Sequence, residues 1–266
     1  MMNNSIKRFQ NVLGVKSLIA GVYTTDDNPQ RIANELRFLN SLGVGCAYIE
    51  DDTSLENPDR KPQNIQTIRS ALELLANDTL NIKIGVNIMP NRQGTEHEIA
   101  FDLAKTYSLS FIVVDLVYGT HKIKRKTLDA AGNDYDLVKI NAESYAQKRS
   151  ENSELIVIGG FSSPYAESVF DSDSLDPLTE TGRRTDAILY KALPVENKIP
   201  REGLRVYKTL SELPIVGASK ITPSNIIEIA DVADAFIVGS KLRDEHGKLS
   251  FSNINAIEKV LSPYRH

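Results

Sequence analysis

The chain of 266 residues is 41% apolar and 25% charged, which is typical of a folded globular protein and excludes a disordered or collagen-like chain. Its formal net charge of −4 argues against nucleic acid as the main partner. No apolar run is long enough to span a membrane or to form the core of a signal peptide, and the single Cys46 excludes an intramolecular disulfide. These features predict a cytoplasmic enzyme or small-molecule binder with no integral membrane segment, and a homo-oligomer is the default expectation.

Short apolar runs rich in β-branched residues alternate with amphipathic segments along the chain. The runs lack the polar and apolar alternation of a half-exposed strand, so they are typical of strands covered on both faces in a parallel sheet. Eight such strands are predicted, at 18–23, 46–50, 83–88, 110–115, 155–160, 186–191, 214–218 and 234–239.

The segments between these strands carry helix start and stop signals. Asn28 before Pro29 is typical of a helix N-cap, and Gly43 ends the same segment. Thr95 with Glu98 three residues later predicts a capping box. Further helices are predicted at 99–107, 134–149, 201–213, 222–230 and 252–261.

Eight strand–helix units in about 250 residues are what a TIM (β/α)₈ barrel requires. A doubly wound open sheet usually has fewer strands and a glycine-rich first turn, and no GxGxxG follows the first strand here. The sequence therefore predicts an α/β fold, a single (β/α)₈-barrel domain over residues 1–266.

Barrel active sites lie at the carboxyl ends of the strands, so the residues there are the candidates for catalysis. The predicted catalytic residues are Glu50, Asn87, Asp115 and Lys191. A lysine in a partly desolvated barrel mouth can form a Schiff base with a carbonyl substrate. It can equally serve as a cation for a carboxylate or phosphate, or be an exposed loop residue, and the sequence does not choose between these roles.

The densest acidic cluster is Glu50-Asp51-Asp52 at the end of the second strand. Oxygen ligands suit Mg²⁺, so Glu50 and Asp52 are candidate magnesium ligands, with Asn87 or Asp115 as a candidate third ligand. Alternatively one carboxylate is a general base, or the cluster is a solvated loop. No other cofactor is predicted.

The last two strands each end in a glycine followed by small residues. Glycine lets backbone N–H groups approach an anion closely, and the loops after strands seven and eight are the usual phosphate site of a barrel. The alternative is that these glycines only make tight turns. The predicted phosphate-binding residues are Gly217, Ala218, Ser219, Gly239, Ser240 and Lys241.

The histidines show no metal-ligand spacing, which disfavours a zinc site. His121 is the one plausible acid or base among them. It lies in a basic stretch with Lys122, Lys124, Arg125 and Lys126, which is expected to be a solvated loop or lid.

Several segments resemble the BtpA/SgcQ family of TIM barrels. Residues 216–225 (VGASKITPSN) and 233–242 (ADAFIVGSKL) resemble the family's VGSGVTPEN and ADGxIVGTSLK motifs. GVNIMPN at 85–91 resembles GVNVLRND, FIVVD at 111–115 matches FIRVN, and EDD at 50–52 stands where the family has ENxGD. The resemblance implies a barrel that binds phosphate.

Three motifs depart from this family. HLPPLPG is replaced by the residues at 22–29, ADVxxKH by those at 159–164, and TGxxTG by those at 191–196. The phosphate end is thus retained while half of the reactive rim differs, so the substrate need not be the family's.

The preferred hypothesis is an enzyme acting on a small phosphorylated metabolite, either a sugar phosphate or a nucleotide-like compound. Lyase, aldolase, isomerase and glycosyl-type reactions all stay open. A different hypothesis is a non-catalytic assembly or biogenesis factor that uses the barrel as a scaffold. The resemblance implies this alternative, because the family is named for a role in photosystem I biogenesis. A ligand-binding sensor is a third.

Overall fold

The computed structural model describes residues 4–51, 61–90, 93–124, 134–161, 166–169, 176–191 and 201–265. The helices are α1 (Asn4–Leu13), α2 (Pro29–Ser41), α3 (Lys61–Leu75), α4 (Glu96–Tyr107), α5 (Ala142–Glu151), α6 (Pro177–Arg184), α7 (Arg201–Leu210) and α8 (Phe251–Leu261). The strands are β1 (Ser17–Tyr23), β2 (Cys46–Glu50), β3 (Lys83–Asn87), β4 (Phe111–Val114), β5 (Thr120–Lys124), β6 (Tyr135–Lys139), β7 (Ile156–Gly159), β8 (Ala166–Val169), β9 (Ala187–Lys191), β10 (Ile215–Ala218) and β11 (Ala235–Val238).

Eight parallel strands close into a barrel in the order β1-β2-β3-β4-β7-β9-β10-β11, and β11 pairs back with β1. This arrangement confirms the predicted TIM barrel, and each predicted strand coincides with one of the eight to within one residue at either end. The register places Tyr23 beside Glu50 and Glu50 beside Asn87. Side chains that end neighbouring strands therefore meet at one level of the barrel mouth.

Alternate residues of each strand point into the barrel or toward the helices, as the period of two in a strand requires. Ile19, Tyr48 and Phe111 belong to the interior cluster, whereas Leu18 and Ile49 pack with the surrounding helices. Phe9 and Leu13 of α1 pack into the interior cluster next to the first residues of the strands. Because α1 fills the amino-terminal end, the carboxyl-terminal end is left for a ligand.

Two of the helix predictions are wrong in part. The segment predicted as a helix at 134–149 begins with β6, which pairs antiparallel with β5, and α5 starts only at Ala142. The start signal is Asn141, whose side-chain oxygen accepts a hydrogen bond from the Ser144 N–H at 3.1 Å. The alternating residues of β6 favour pairing over a helical stripe.

The helix predicted at 222–230 is reduced to a 3₁₀ turn, Ile226–Glu228. Asn225 explains the difference, because its side chain accepts from the Thr222 N–H at 2.8 Å and donates to the Lys220 carbonyl at 2.9 Å. Such local side-chain bonds compete with helical ones. At the other helix starts, Thr95 occupies the N-cap position of α4 without a side-chain capping bond, and Ser250 caps α8.

A three-stranded antiparallel sheet, in the order β6-β5-β8, is inserted after β4 and β7. Ile123, Val138 and Ala166 pack with Leu116 beneath it. The basic stretch predicted as a loop is therefore in part a strand, since Lys122 and Lys124 lie in β5, while Arg125 and Lys126 fall outside the described residues. No described helix combines the length and apolar character needed to cross a membrane.

Candidate active site at the carboxyl ends of the strands

A cavity of about 110 Å³ lies at the carboxyl ends of the barrel strands. One part of its wall comes from strand residues, and the other from the last residue of β10 and the segments that follow β10 and β11. The strand residues are Tyr23, Tyr48, Glu50, Asn87, Val113, Lys191, Ile237 and Val238, and the remaining wall consists of Ala218, Ser219, Lys220, Ile221, Gly239, Ser240 and Lys241.

The four predicted catalytic residues form one connected group, which we call the side-chain rim: Glu50, Asn87, Asp115 and Lys191. The Asn87 side-chain N–H₂ donates to Glu50 Oε2 at 3.2 Å and to Asp115 Oδ1 at 3.3 Å. Lys191 Nζ donates to Asp115 Oδ2 at 2.5 Å. The four residues come from the ends of four different strands, so the barrel closure itself assembles this group.

The side-chain rim is almost fully shielded from solvent. Asp115 is 0% and Asn87 is 1% exposed, and both Glu50 and Lys191 are 8% exposed. Removing charged groups from water is costly unless each has partners, and the hydrogen bonds through Asn87 and the ion pair supply them. Asn87 lines the cavity, and its Oδ1 is buried and accepts no hydrogen bond within the described ranges.

The opposite wall, which we call the backbone rim, comprises residues 218–220 and 239–241. Ser219 and Lys220 both have left-handed backbone angles, with φ of 65° and 53°. Such angles are uncommon for residues other than glycine and cost energy that surrounding structure must offset. Five of the six predicted phosphate-binding residues line the cavity here.

The sixth predicted phosphate-binding residue, Gly217, does not line the cavity. Its missing side chain would point toward Ile229 at 3.5 Å and Ile221 at 3.6 Å. Its neighbours Val216 and Ala218 belong to the barrel interior, so the alternation of the strand turns Gly217 outward. The lining therefore begins one residue later than the glycine pattern predicts.

Two tyrosines complete the cavity and were not predicted. The Tyr48 hydroxyl donates to Glu50 Oε2 at 2.7 Å. The Tyr23 hydroxyl lies only 1.4 Å from where a Cβ on Gly239 would be, so this position admits glycine alone without rearrangement. The available signal was strand alternation, because Tyr48 precedes Glu50 by two residues and thus shares its inward face.

Charge also distinguishes this cavity. Three lysines (Lys191, Lys220 and Lys241) and one glutamate line it among the described residues, and with the Asp115 carboxylate paired to Lys191 the formal charge is +1. A positive lining favours an anionic ligand. A wider groove of about 1160 Å³ adjoins the cavity and shares Tyr23, Glu50 and Ser240 with it, which gives a path to solvent.

Two neighbouring residues of the acidic cluster lie on opposite sides of the barrel wall, because Glu50 faces the cavity and Asp51 faces the surrounding helices. Asp51 is fully buried away from the cavity, where it accepts from Asn64 at 2.6 Å and pairs with Lys61 at 3.3 Å. Burial lowers the pKa of Lys61, although the carboxylate of Asp51 acts in the opposite sense. Asp51 thus ties β2 to α3, and Asp52 falls outside the described residues.

The predicted magnesium site gains no support from the part of the chain that the structure describes. No group of three or more acidic, histidine or cysteine side chains is placed there to hold a metal ion. Glu50 and Asp115 instead face the amide nitrogen of Asn87, which is a donor and not a metal ligand. The magnesium hypothesis therefore stays a prediction that depends on Asp52.

His121 is held by neighbours rather than presented to the cavity. Its Nε2 contacts the Tyr118 carbonyl at 2.8 Å and its Nδ1 lies 3.2 Å from the Ser168 hydroxyl. A carbonyl can only accept, so the Nε2 carries the proton. Burial lowers the pKa of His121, in spite of this carbonyl contact, and so favours the neutral ring. The residue joins β5 to β8.

Comparison with solved structures shows the fold. A tryptophan synthase alpha subunit from Legionella pneumophila is similar with a TM-score of 0.61, at 12% identity over 98% of each chain. A Mycobacterium tuberculosis tryptophan synthase gives 0.60, at 11% identity over 100% of this chain and 98% of that one. A Rubisco-like protein from Rhodopseudomonas palustris gives 0.55, at 10% identity over 98% of this chain and 68% of that one.

No family model and no curated protein matches the sequence. The chain is a TIM-barrel protein.

Proposed function

We propose that this chain is an enzyme acting on a small phosphorylated metabolite, whose phosphate binds at the backbone rim while the reaction takes place at the side-chain rim. The observation that carries the proposal is that one cavity is lined both by Glu50, Asn87 and Lys191 of the side-chain rim and by the backbone rim, which lie far apart in the sequence. The positive lining supports an anionic ligand, and the small residues of the backbone rim leave N–H groups accessible.

The buried charges support catalysis over a scaffold role. An ion pair such as Lys191–Asp115 costs desolvation energy, and apolar residues of similar size are often at least as stable in its place. A scaffold that works through its outer surface has no use for such a group around a cavity. An enzyme needs charged groups held in place where a reaction occurs.

The geometry suggests a role for each group. Lys191 acts on a substrate carbonyl, either as a cation that polarises it or as an amine that adds to it. Glu50, held by Tyr48 and Asn87, is the general base. Asn87 Oδ1, which is buried and accepts no hydrogen bond from the described residues, would accept from a substrate hydroxyl. These roles fit lyase, aldolase or isomerase chemistry on a sugar phosphate.

The resemblance to the BtpA/SgcQ family is part of the same proposal. It rests on the motifs at 216–225 and 233–242, and both contribute residues to the backbone rim. The residues that replace the family's motifs at 191–196 begin with Lys191, so the substrate is expected to differ from that of the family.

The test is a thermal-shift series with inorganic phosphate, glyceraldehyde 3-phosphate, ribose 5-phosphate and AMP, at constant ionic strength against chloride. A ligand at 100 times its Kd stabilises the folded state by about 2.7 kcal/mol, which raises Tm by several degrees. We expect at least one phosphorylated compound to do so, and to lose most of its effect in the double variant Lys220→Gln/Lys241→Gln.

The matched control is Lys105→Gln/Lys259→Gln, which removes the same charge from two exposed helix positions away from the cavity. Stabilisation that falls equally in both double variants would show only a general effect of net charge. No stabilisation by any of the phosphorylated compounds, with a well-folded protein, would contradict the proposal.

A further inference from the structure

Lys191 is placed differently from the other two lysines of the cavity. Lys220 and Lys241 are exposed at the mouth, whereas the Lys191 side chain is 8% exposed and reaches Asp115, which is fully buried. Val113, Ala218 and Ile237 line the same cavity. The amine therefore lies at the inner end of the cavity, beside apolar side chains and one carboxylate.

The direction of the Lys191 side chain is informative. In the barrel β9 lies between β7 and β10, and Lys191 is in register with Ala218 at the start of the backbone rim. The amine nevertheless extends past β7 to Asp115 after β4, away from β10. A lysine that serves to bind the phosphate would extend the other way, and the two exposed lysines already supply that charge.

We propose that Lys191 is a covalent catalyst whose amine forms a Schiff base with the substrate, and that the substrate is accordingly a phosphorylated aldehyde or ketone. This inference rests on the proposed function, because it assumes that the phosphate binds at the backbone rim. It specifies that function by naming the reactive group of the substrate.

The protons balance within the side-chain rim. The ammonium of Lys191 passes one proton to Asp115, with which it already shares a hydrogen bond, and the free amine adds to the carbonyl carbon. A proton moves from nitrogen to oxygen to give a neutral carbinolamine, and the proton on Asp115 then leaves with the hydroxyl as water. An ammonium and a carbonyl have become a protonated imine and water, with Asp115 again a carboxylate beside the positive nitrogen.

The imine then acts as an electron sink. Glu50, linked to Asp115 through the Asn87 amide, is the base positioned to take a proton from the carbon next to the imine or from a neighbouring hydroxyl. In the first case Glu50 returns the proton to the opposite face of the same carbon, which restores the imine and gives epimerisation, a form of isomerisation. In the second case the bond between that carbon and the carbon bearing the hydroxyl breaks and an aldehyde leaves. Glu50 then returns the proton to the enamine carbon, which restores the imine. Water returns by the reverse steps and releases the product from Lys191.

The experiment is trapping with borohydride, which reduces an imine to a stable amine. The full chain is incubated with dihydroxyacetone phosphate or glyceraldehyde 3-phosphate, reduced, and analysed by intact mass and peptide mapping. We expect one adduct per chain, located on Lys191, and more than tenfold less labelling in Lys191→Arg, which keeps the positive charge. Circular dichroism confirms that the variant is folded.

A second measurement does not depend on the choice of substrate. Formaldehyde forms a Schiff base with any accessible amine, so the rate of reductive methylation at pH 7 ranks the lysines by reactivity. We expect Lys191 to react faster than exposed lysines such as Lys105 and Lys259. If Lys191 is the slowest to methylate and neither phosphorylated probe labels it, the inference is overturned.

The outcomes separate the inference from the proposed function. Stabilisation by phosphorylated ligands with no reaction at Lys191 removes the Schiff base and keeps the phosphate site. Labelling of Lys191 by unphosphorylated dihydroxyacetone as readily as by its phosphate keeps the Schiff base and removes the phosphate site from the proposal.

Discussion

The two walls of the cavity differ in which part of the chain forms them, side chains in one and main chain in the other. The side-chain rim consists of charged and amide side chains that are buried and bonded to one another, and it depends on which residue stands at each position. The backbone rim consists of four small residues and two exposed lysines, includes two left-handed backbone angles, and depends on the path of the main chain.

This difference indicates how each wall responds to substitution. A buried ion pair is sensitive to the loss of either charge, because the remaining one has no solvent to compensate it. The backbone rim is expected to tolerate substitutions whose side chains point away from the cavity. It is not expected to tolerate an added Cβ that points at a neighbouring side chain. The following variants test this contrast, in order of decreasing expected effect.

The largest effect is expected for Asp115→Asn, which removes one charge from the buried pair and leaves Lys191 without its carboxylate. Breaking such a pair costs about 3–5 kcal/mol of unfolding free energy. The measurement is urea denaturation at pH 7.

The matched control for that variant is Asp102→Asn, which removes a carboxylate 2.6 Å from Lys148 in an exposed pair, where Asp102 is 54% exposed. Exposed pairs contribute less than about 1 kcal/mol. Equal losses in the two variants would show that burial does not set the side-chain rim apart.

The next effect concerns Gly239, where an added Cβ would lie 1.4 Å from the Tyr23 hydroxyl. We expect Gly239→Ala to lose about 1–3 kcal/mol of unfolding free energy by overpacking and to weaken the proposed phosphate binding, because Tyr23 or the backbone rim must shift. Tyr23→Ala in the same background should recover part of the loss, as a double-mutant cycle in urea would show.

Gly217→Ala is the control within the same motif, since its Cβ would make only ordinary contacts with Ile229 and Ile221. It should stay within about 1 kcal/mol of the wild type. A cost at Gly217 as large as at Gly239 would contradict the distinction between outward and inward glycines.

The barrel strands were predictable because each is covered on both faces and its composition is locally unambiguous. The inserted strands β5, β6 and β8 were not, because half-exposed strands alternate in polarity and two of them pair across long sequence separations. The turn at Ile226–Glu228 escaped prediction because Asn225 redirects the local hydrogen bonds.

The candidate site was predictable to the extent that strand ends converge. The convergence of Glu50, Asn87, Asp115 and Lys191 was predictable from position alone, although their mutual distances depend on barrel closure and their catalytic role stays a prediction. Tyr23 and Tyr48 were missed because a tyrosine within an apolar run is usually interpreted as a residue of the hydrophobic core. Strand alternation, applied to each candidate, would have turned Gly217 outward and Tyr48 inward.

The smallest expected effect is on the pH dependence of the unfolding free energy in a His121 variant. This variant tests whether the side-chain rim extends as far as the inserted sheet. Burial lowers the pKa of His121, so the unfolded chain binds the proton more tightly than the folded one. This histidine therefore contributes stability that is present above its unfolded pKa near 6.5 and is lost as pH falls through the folded pKa. Urea denaturation from pH 7.5 to 5 should show a shallower decline in His121→Gln than in the wild type, with unchanged phosphate binding at pH 7.5. His246→Gln, which alters an exposed ring that is 74% accessible, should follow the wild type throughout. Loss of the proposed phosphate binding in His121→Gln at pH 7.5 would instead show that the side-chain rim extends to the inserted sheet. Ser168 and Tyr118 hold the His121 ring in that sheet, on the β4 and β7 side of the barrel.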